Sequence, residues 1–103
     1  MSAIKNDSGK PRLELLPTAP LEQIAQVLAF GAAKYGEHNW RGGMSWGRMV
    51  GACLRHVSAW MRGQDQDPES GLPHLAHAAC CLLFLLEYTQ TGVGTDDRYR
   101  TKN

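Results

Sequence analysis

Two histidines stand three residues apart in the segment DPESGLPHLAHAACCLLFLLEY. His74 and His77 open an otherwise apolar run, and two acids, Asp67 and Glu69, closely precede them. Residues at positions i and i+3 of a helix project on the same side, so the two imidazoles can share a partner. A metal or substrate-phosphate site is one interpretation of this grouping. The alternative is that each histidine simply satisfies a hydrogen bond inside a packed helix.

A third histidine, His56, lies between the small residues Ala52 and Ala59 in the preceding predicted helix. Small neighbours allow another helix to approach closely. Antiparallel pairing of the two helices across the polar loop GQDQDPESG would bring His56 toward His74 and His77. Three imidazoles and a carboxylate favour a transition ion such as Mn, Fe or Zn, whereas oxygen ligands from acids and waters favour Mg.

Helical periodicity and chain breakers predict the elements that must position these side chains. The predicted helices span residues 20–36, 46–62 and 72–90. Gly36 suits the C-terminal cap of the first helix, and Ser45 suits the N-cap of the second. No segment alternates convincingly with period two, so the sequence predicts an all-α fold, a small bundle of three main helices.

Prolines, helical periodicity and polar composition divide the chain into three parts. Residues 1–19 hold prolines and form an extended, docked N-terminal arm; residues 20–90 form the helical domain; residues 91–103 form a flexible tail. The predicted core stripe of the second helix is Val50, Leu54, Val57 and Met61, and that of the third is Leu72, Leu75, Ala76, Ala79, Leu82, Leu83 and Leu86. The third helix is apolar on its other side too, which predicts burial of that side against another helix layer or another subunit.

Composition restricts the class of protein. The chain of 103 residues is one domain at most, and 43% hydrophobic residues predict a globular chain. A net charge of +1 gives no bulk attraction to nucleic acid or membrane, and we expect neither as a partner. Three cysteines, two of them adjacent, predict reduced packing thiols in the cytoplasm. The N-terminal stretch MSAIKNDSGK has no apolar segment typical of a secretory signal.

Three stretches, GKPRLELLP, FGAAKYGEHNW and LRHVSAWMRGQDQDPESGLPHLAHAACCLLFLLEY, together resemble the phage and prophage dATP/dGTP diphosphohydrolases. These are distant relatives of the MazG-like nucleotide pyrophosphohydrolases. The resemblance implies an all-α fold completed as a homodimer or homotetramer. It also implies hydrolysis of a (deoxy)nucleoside triphosphate, preferably a purine one, to the monophosphate and pyrophosphate. A divalent metal, Mg or Mn, and the cytoplasm of a bacterial host are implied as well.

The metal-binding pattern departs from that of the family. MazG-like enzymes hold metals with acids in patterns like ExxE and ExxD on two neighbouring helices. The stretch HLAH looks like the counterpart of the second pattern, with His74 and His77 in the acid positions. The stretch LRH offers Arg55 and His56 where the first pattern is expected.

The acids left to compensate are Glu22, Asp67 and Glu69. With the three histidines named above they make up the predicted metal ligands. Glu69, Asp67 or His56 is the predicted acceptor of a proton from the attacking water.

Substrate contacts are predicted at the end of the first helix, in the arm and beside His56. Trp40 would stack on a base, Asn39 would bond its edge and Lys34 would meet a phosphate. The alternative is a loop plugged by a buried tryptophan, with the lysine favouring the helix dipole.

Lys10, Arg12 and Arg55 complete the predicted phosphate contacts, against the alternative of a solvated basic arm. A rival function is open to the whole chain: a non-catalytic helical oligomer that binds a nucleotide or a protein.

Overall fold

The computed structural model describes residues 2–100 of the chain. Its elements are a short 3-10 turn at Leu13–Leu15, helix α1 at Thr18–Tyr35, a 3-10 turn at Asn39–Gly42, helix α2 at Trp46–Met61 and helix α3 at His74–Thr91. Over residues 2–100 there are two isolated β-bridges and no named strand. The predicted all-α fold with three main helices is confirmed. No helix in this range is long and apolar enough to cross a bilayer.

The ends of α1 follow from local chemistry. The helix begins at Thr18, two residues before the predicted start. Pro20 lies in the first turn, where backbone N–H groups have no intrahelical acceptor, so proline loses no hydrogen bond there. Gly36 adopts φ 99°, a region that favours glycine, and its N–H donates to the carbonyl of Ala32 at 2.8 Å. The predicted C-terminal stop is therefore confirmed.

The start of α2 differs in detail from the prediction. Ser45 occupies the N-cap position, but its hydroxyl makes no capping hydrogen bond. The carboxylate of Asp97 accepts from the Gly47 N–H at 2.8 Å instead. A residue from the far end of the chain thus satisfies a donor that the sequence assigned to a local serine.

The C-terminal segment lies against this end of α2. The backbone N–H and the indole N–H of Trp46 each donate at 2.9 Å, to the carbonyls of Thr95 and Val93. Gly94 has φ 83°, and a Cβ atom there would lie 2.3 Å from the carbonyl oxygen of Met44. Residues 93–97 of the predicted flexible tail are therefore tied to α2. The prediction for 101–103 lies outside the described residues.

Helices α2 and α3 form the main packed pair, and α1 packs against α3. The start of α2 lies near the end of α3, and the end of α2 lies near the start of α3, so the pair is antiparallel as predicted. The core cluster consists of Val27, Ala76 and Cys80, with Ile24, Leu28, Leu72 and Phe84 packed against it. Burial raises the pKa of the Cys80 thiol to about 12, which fits a packing role.

The predicted core stripes of α2 and α3 are wrong for most of their large residues. The exposed members are Val50, Leu54, Met61, Leu75, Leu82, Leu83 and Leu86, at 38–72%. Met49, Cys53 and Ala59 are buried on α2 instead. The physical reason is that the imidazoles bond to one another between α2 and α3, which turns the histidine-bearing side of each helix inward. The leucine-rich side then faces outward.

The N-terminal arm also differs from the prediction, because it does not dock on the helices. Residues 2–17 are exposed throughout. Even the leucines of its 3-10 turn, Leu13 and Leu15, are 71% and 67% exposed. Pro11 and Pro17 restrict the backbone on either side of this turn, and the arm's apolar side chains find no partner surface on the described part of the chain.

Candidate functional site

Three imidazoles meet between α2 and α3. The Nδ1 atoms of His56 and His74 lie 2.9 Å apart. The rings of His56 and His77 stack, with centroids 4.6 Å apart and an interplanar angle of 10°. His74 is only 4% exposed. The structure thus brings together the three histidines that the sequence singled out.

One carboxylate completes the group. His56, Asp67 and His74 each offer one ligand atom, and these atoms lie within 4.8 Å of one another. The Oδ2 atom of Asp67 also lies 3.7 Å from Nε2 of His77. Asp67 reaches the cluster because the loop before α3 folds back on itself: the Asp67 N–H donates to the carbonyl of Leu72 at 2.8 Å.

The other two predicted acidic ligands lie elsewhere. The Glu69 carboxylate pairs with the Lys34 ammonium and so links the loop to the end of α1. Glu22 is exposed on α1 and makes no side-chain hydrogen bond or ion pair within the part of the chain that the structure describes. Of the predicted metal ligands, the structure therefore groups His56, Asp67 and His74, with His77 beside them.

Ser70 ties the cluster together and was missed by sequence reasoning. Its backbone N–H and its hydroxyl both donate to Oδ2 of Asp67, each at 3.0 Å. Its oxygen lies 2.7 Å from Nε2 of His77. The available signal was the spacing of Asp67 and Ser70, since an aspartate carboxylate often accepts from a nearby backbone N–H in a turn.

Gln64 was missed as well. Its side-chain oxygen Oε1 lies 2.7 Å from Nε2 of His74. The residue follows Arg62 and Gly63, which succeed the end of α2, and its backbone N–H donates to the carbonyl of Ala59 at 3.1 Å. It belongs to GQDQDPESG, a polar stretch that the sequence presents only as a connection between helices.

The charge states of the cluster follow from burial and from its neighbours. Burial lowers the pKa of His56, and the nearby His77 and His74 lower it further. Burial also lowers the pKa of His77, although Asp67 opposes the shift. Burial alone would raise the pKa of Asp67, but hydrogen bonds from Ser70 and the nearby imidazoles bring it below its ordinary value. Near neutral pH, His56 and His77 are thus neutral and Asp67 is an anion.

This donor set fits a divalent cation. Neutral imidazole and ionised carboxylate are the forms in which these side chains bind metals. Imidazole nitrogen is a ligand that first-row transition ions accept readily, whereas Mg prefers oxygen. The same hydrogen bonds also satisfy the imidazoles without an ion, and the non-catalytic alternative predicts that arrangement.

The predicted base-stacking residue is enclosed by its own chain. Trp40 stacks on Phe84, with centroids 4.1 Å apart and an interplanar angle of 7°, and the Arg41 guanidinium lies 4.4 Å from its ring centre. A face covered by a parallel phenyl ring has no room for a guanidinium, so Arg41 covers the opposite face. The Tyr88 hydroxyl donates to the Trp40 carbonyl at 2.6 Å. This placement fits the alternative in which Trp40 plugs its loop, and the neighbouring Asn39 is exposed.

Among residues 2–100, the predicted phosphate-binding residues make no hydrogen bond or ion pair with the cluster. Lys10 and Arg12 lie on the exposed arm, where Arg12 bonds to Glu14 at 3.3 Å. The Arg55 side chain lies back along α2 toward Gly51. A Cβ atom added to Gly51 would be 3.2 Å from Nη1 of Arg55. Arg55 lines a cavity of about 490 Å³ together with Met44, Gly47, Arg48, Gly51, Ala52 and Asp97.

Comparison with known proteins identifies the family. The family described as "dATP/dGTP diphosphohydrolase, N-terminal" matches residues 2–98. The chain belongs to this family. It is also similar to a dATP/dGTP diphosphohydrolase of Salmonella phage PMBT28, with 41% identity over 98 residues. That alignment covers 95% of this chain and 33% of the relative, so the chain spans about a third of the relative's length.

The resemblance inferred from the sequence is therefore confirmed. The family match includes all three helices, the imidazole cluster and the segment that contacts the start of α2. No solved structure matches the chain with significance.

Proposed function

We propose that this chain takes part in hydrolysis of a purine deoxynucleoside triphosphate to the monophosphate and pyrophosphate. The observation that carries the proposal is the grouping of His56, Asp67 and His74 within a chain of this family. The PMBT28 relative is named a dATP/dGTP diphosphohydrolase, which supports a purine substrate. The host cytoplasm, where such substrates are found, is the proposed location.

A divalent ion is proposed as the cofactor, with His56, Asp67 and His74 as its ligands and His77 beside them. Bound there, such an ion would neutralise phosphate charge and lower the pKa of a water molecule. The donor set favours Mn or another transition ion over Mg.

Asp67 is the proposed proton acceptor. Both hydrogen bonds from Ser70 fall on its Oδ2 atom, which leaves Oδ1 without a hydrogen bond in the described part of the chain. In the proposed reaction, a water oxygen bonds to the α-phosphorus, the bond to the bridging oxygen breaks and pyrophosphate leaves. Asp67 takes the water's proton, because a His56 imidazole whose one lone pair binds the ion cannot also accept it. Ser70 keeps the carboxylate ionised and in place for this role.

Cationic side chains are proposed to bind the phosphates. Lys34 is paired with Glu69, so binding a phosphate there requires that this exposed ion pair opens. Such exposed pairs contribute little stability, and a phosphate can therefore compete for the lysine. Arg55, Lys10 and Arg12 are the further candidates.

The functional form is proposed to be a homodimer or homotetramer. Leu54 and Met61 on α2, and Leu82 and Leu86 on α3, are 55–72% exposed. Burying apolar area contributes about 25 cal/mol per Å², so a second copy that covers these side chains would stabilise the helices.

A non-catalytic helical oligomer is the second candidate function. One observation favours it: hydrogen bonds with Gln64, Ser70 and each other already satisfy the imidazoles. It predicts that the purified protein contains no metal and releases no pyrophosphate.

The experiment that separates the two functions uses protein purified without a His tag. Metal content is measured first, and the eight common (d)NTPs are then screened for pyrophosphate release with Mg and with Mn. The proposal predicts release from dATP or dGTP that depends on added metal. Absence of release from every nucleotide with either ion would contradict it and favour the non-catalytic function.

A further inference from the structure

The hydrogen bond between Gln64 and His74 determines which nitrogen of His74 carries a hydrogen. Oε1 of Gln64 is a carbonyl oxygen and can only accept, so the Nε2 atom 2.7 Å away must donate. A neutral imidazole has a single N–H, and Nδ1 of His74 is then left with a free lone pair. It is this Nδ1 atom that faces His56.

The hydrogen-bond partners of Ser70 likewise determine which nitrogen of His77 carries a hydrogen. Ser70 has one hydroxyl hydrogen, and it is donated to the Asp67 carboxylate at 3.0 Å. The Ser70 oxygen also accepts the N–H of Leu72 at 3.1 Å. Nε2 of His77, at 2.7 Å from that oxygen, must therefore donate. This bond turns the protonated nitrogen of His77 toward Ser70, so that nitrogen is not among the proposed metal ligands.

We propose that Gln64 is a positioning residue that holds His74 as its Nε2–H tautomer and so presents Nδ1 to a transition-metal ion. The inference rests on the metal site proposed above. Metal-binding histidines usually donate their other N–H to a carbonyl or carboxylate, and loss of that partner weakens metal binding about 10- to 100-fold. Gln64 supplies such a carbonyl from outside α3, and its backbone bond to Ala59 holds it against the last turn of α2.

Three variants test the role. Gln64→Leu removes the acceptor with little change in size, and Gln64→Glu keeps acceptor oxygens only. Gln66→Leu is the matched control, because Gln66 lies in the same loop and makes no side-chain hydrogen bond among residues 2–100. Affinity for Zn²⁺ and Co²⁺ is measured by calorimetry on protein purified without a His tag. Circular dichroism verifies that each variant is folded.

The expected result is a loss of affinity of about 10- to 100-fold in Gln64→Leu, with Gln64→Glu and Gln66→Leu near wild type. Long-range ¹H–¹⁵N NMR of the metal-free wild type should show the hydrogen of His74 on Nε2. This second readout needs no variant to fold, and a merely structural role for Gln64 would not predict it.

The outcomes separate this inference from the proposed function. Wild-type affinity in Gln64→Leu would overturn the role of Gln64 and leave the metal site standing. Equal losses in Gln64→Glu and Gln64→Leu, or a His74 hydrogen on Nδ1, would show that the glutamine amide donates and would likewise overturn the role. Failure of the wild type to bind either ion would overturn both the role and the site.

Discussion

His56 and His74 face each other across the α2–α3 contact with their Nδ1 atoms 2.9 Å apart. Two nitrogens at this distance can share one hydrogen, and they cannot both carry one pointing at the other. Their separation therefore makes the contact between the two helices sensitive to protons and to cations. The first prediction follows from this relationship.

The first prediction concerns metal content. His74→Ala should abolish stoichiometric binding of Mn or Zn, because it removes a proposed ligand that is 4% exposed and hydrogen-bonded to Gln64. His38→Asn is the control, since His38 is exposed and asparagine tolerates its positive φ of 62°. Elemental analysis of protein purified without a His tag gives the measurement. Full metal occupancy in His74→Ala would remove His74 from the ligand set.

The second prediction concerns pH and the stability of the metal-free protein. The pKa values of His56 and His77 are lowered in the folded chain, so below about pH 6.5 the unfolded chain binds protons that the folded chain does not. The contribution of these two histidines to the free energy of unfolding should be fully present above this pH. It should be lost as the pH drops through their folded pKa values. Urea unfolding at pH 7.5, 6.5 and 5.5 measures it.

The comparison with His77→Asn identifies the source of that pH dependence. This variant removes one of the two histidines with a lowered pKa, so its unfolding free energy should change less with pH than that of the wild type. A wild-type midpoint in urea that stays level or rises between pH 7.5 and 5.5 would contradict the assignment.

Much of the helical scaffold was predictable, because it depends on local signals. Pro20 and Gly36 delimit α1 closely, and the breakers around the polar loop separate α2 from α3. The approach of His56 to His74 was also predictable, since antiparallel helices with histidines at these positions place them at the same level.

What could not be predicted depends on contacts between distant residues. Ser45 is a good cap by type, but Asp97 makes the capping bond, and no local pattern identifies it. Leu82 satisfies the periodicity of a core residue and is 55% exposed, because the imidazole side of α3 packs inward. Gln64 and Ser70 act through hydrogen bonds that only the folded loop creates.

The third prediction tests the contact of Asp97 with α2. Asp97→Ala should lower the free energy of unfolding by about 0.5–2 kcal/mol, the usual effect of losing an N-terminal cap. Asp96→Ala is the control, because Asp96 bonds only to exposed arginines of its own segment among the described residues. Thermal and urea unfolding compare the two variants. Equal stability of both variants would show that the carboxylate of Asp97 does not stabilise α2.

The fourth prediction concerns assembly. The wild type should sediment as a dimer or larger at micromolar concentration, and Leu82→Glu or Leu86→Glu should shift it toward the 11.4 kDa monomer. A charge placed in an apolar interface must be desolvated, which opposes association. Leu15→Glu on the exposed arm is the control and should leave the distribution unchanged. Wild-type protein that sediments only as the monomer would contradict the proposed oligomer.

The most direct test of the proposed site is metal-dependent pyrophosphate release from dATP and dGTP by wild type, Asp67→Asn and Asp65→Asn. Asp67 offers a ligand atom to the cluster, whereas the exposed Asp65 side chain makes no hydrogen bond within residues 2–100. We predict that Asp67→Asn reduces kcat at least about 100-fold, the range expected for loss of a general base, and that Asp65→Asn retains wild-type turnover. Wild-type rates in Asp67→Asn, with the same dependence on Mn, would contradict the site between α2 and α3.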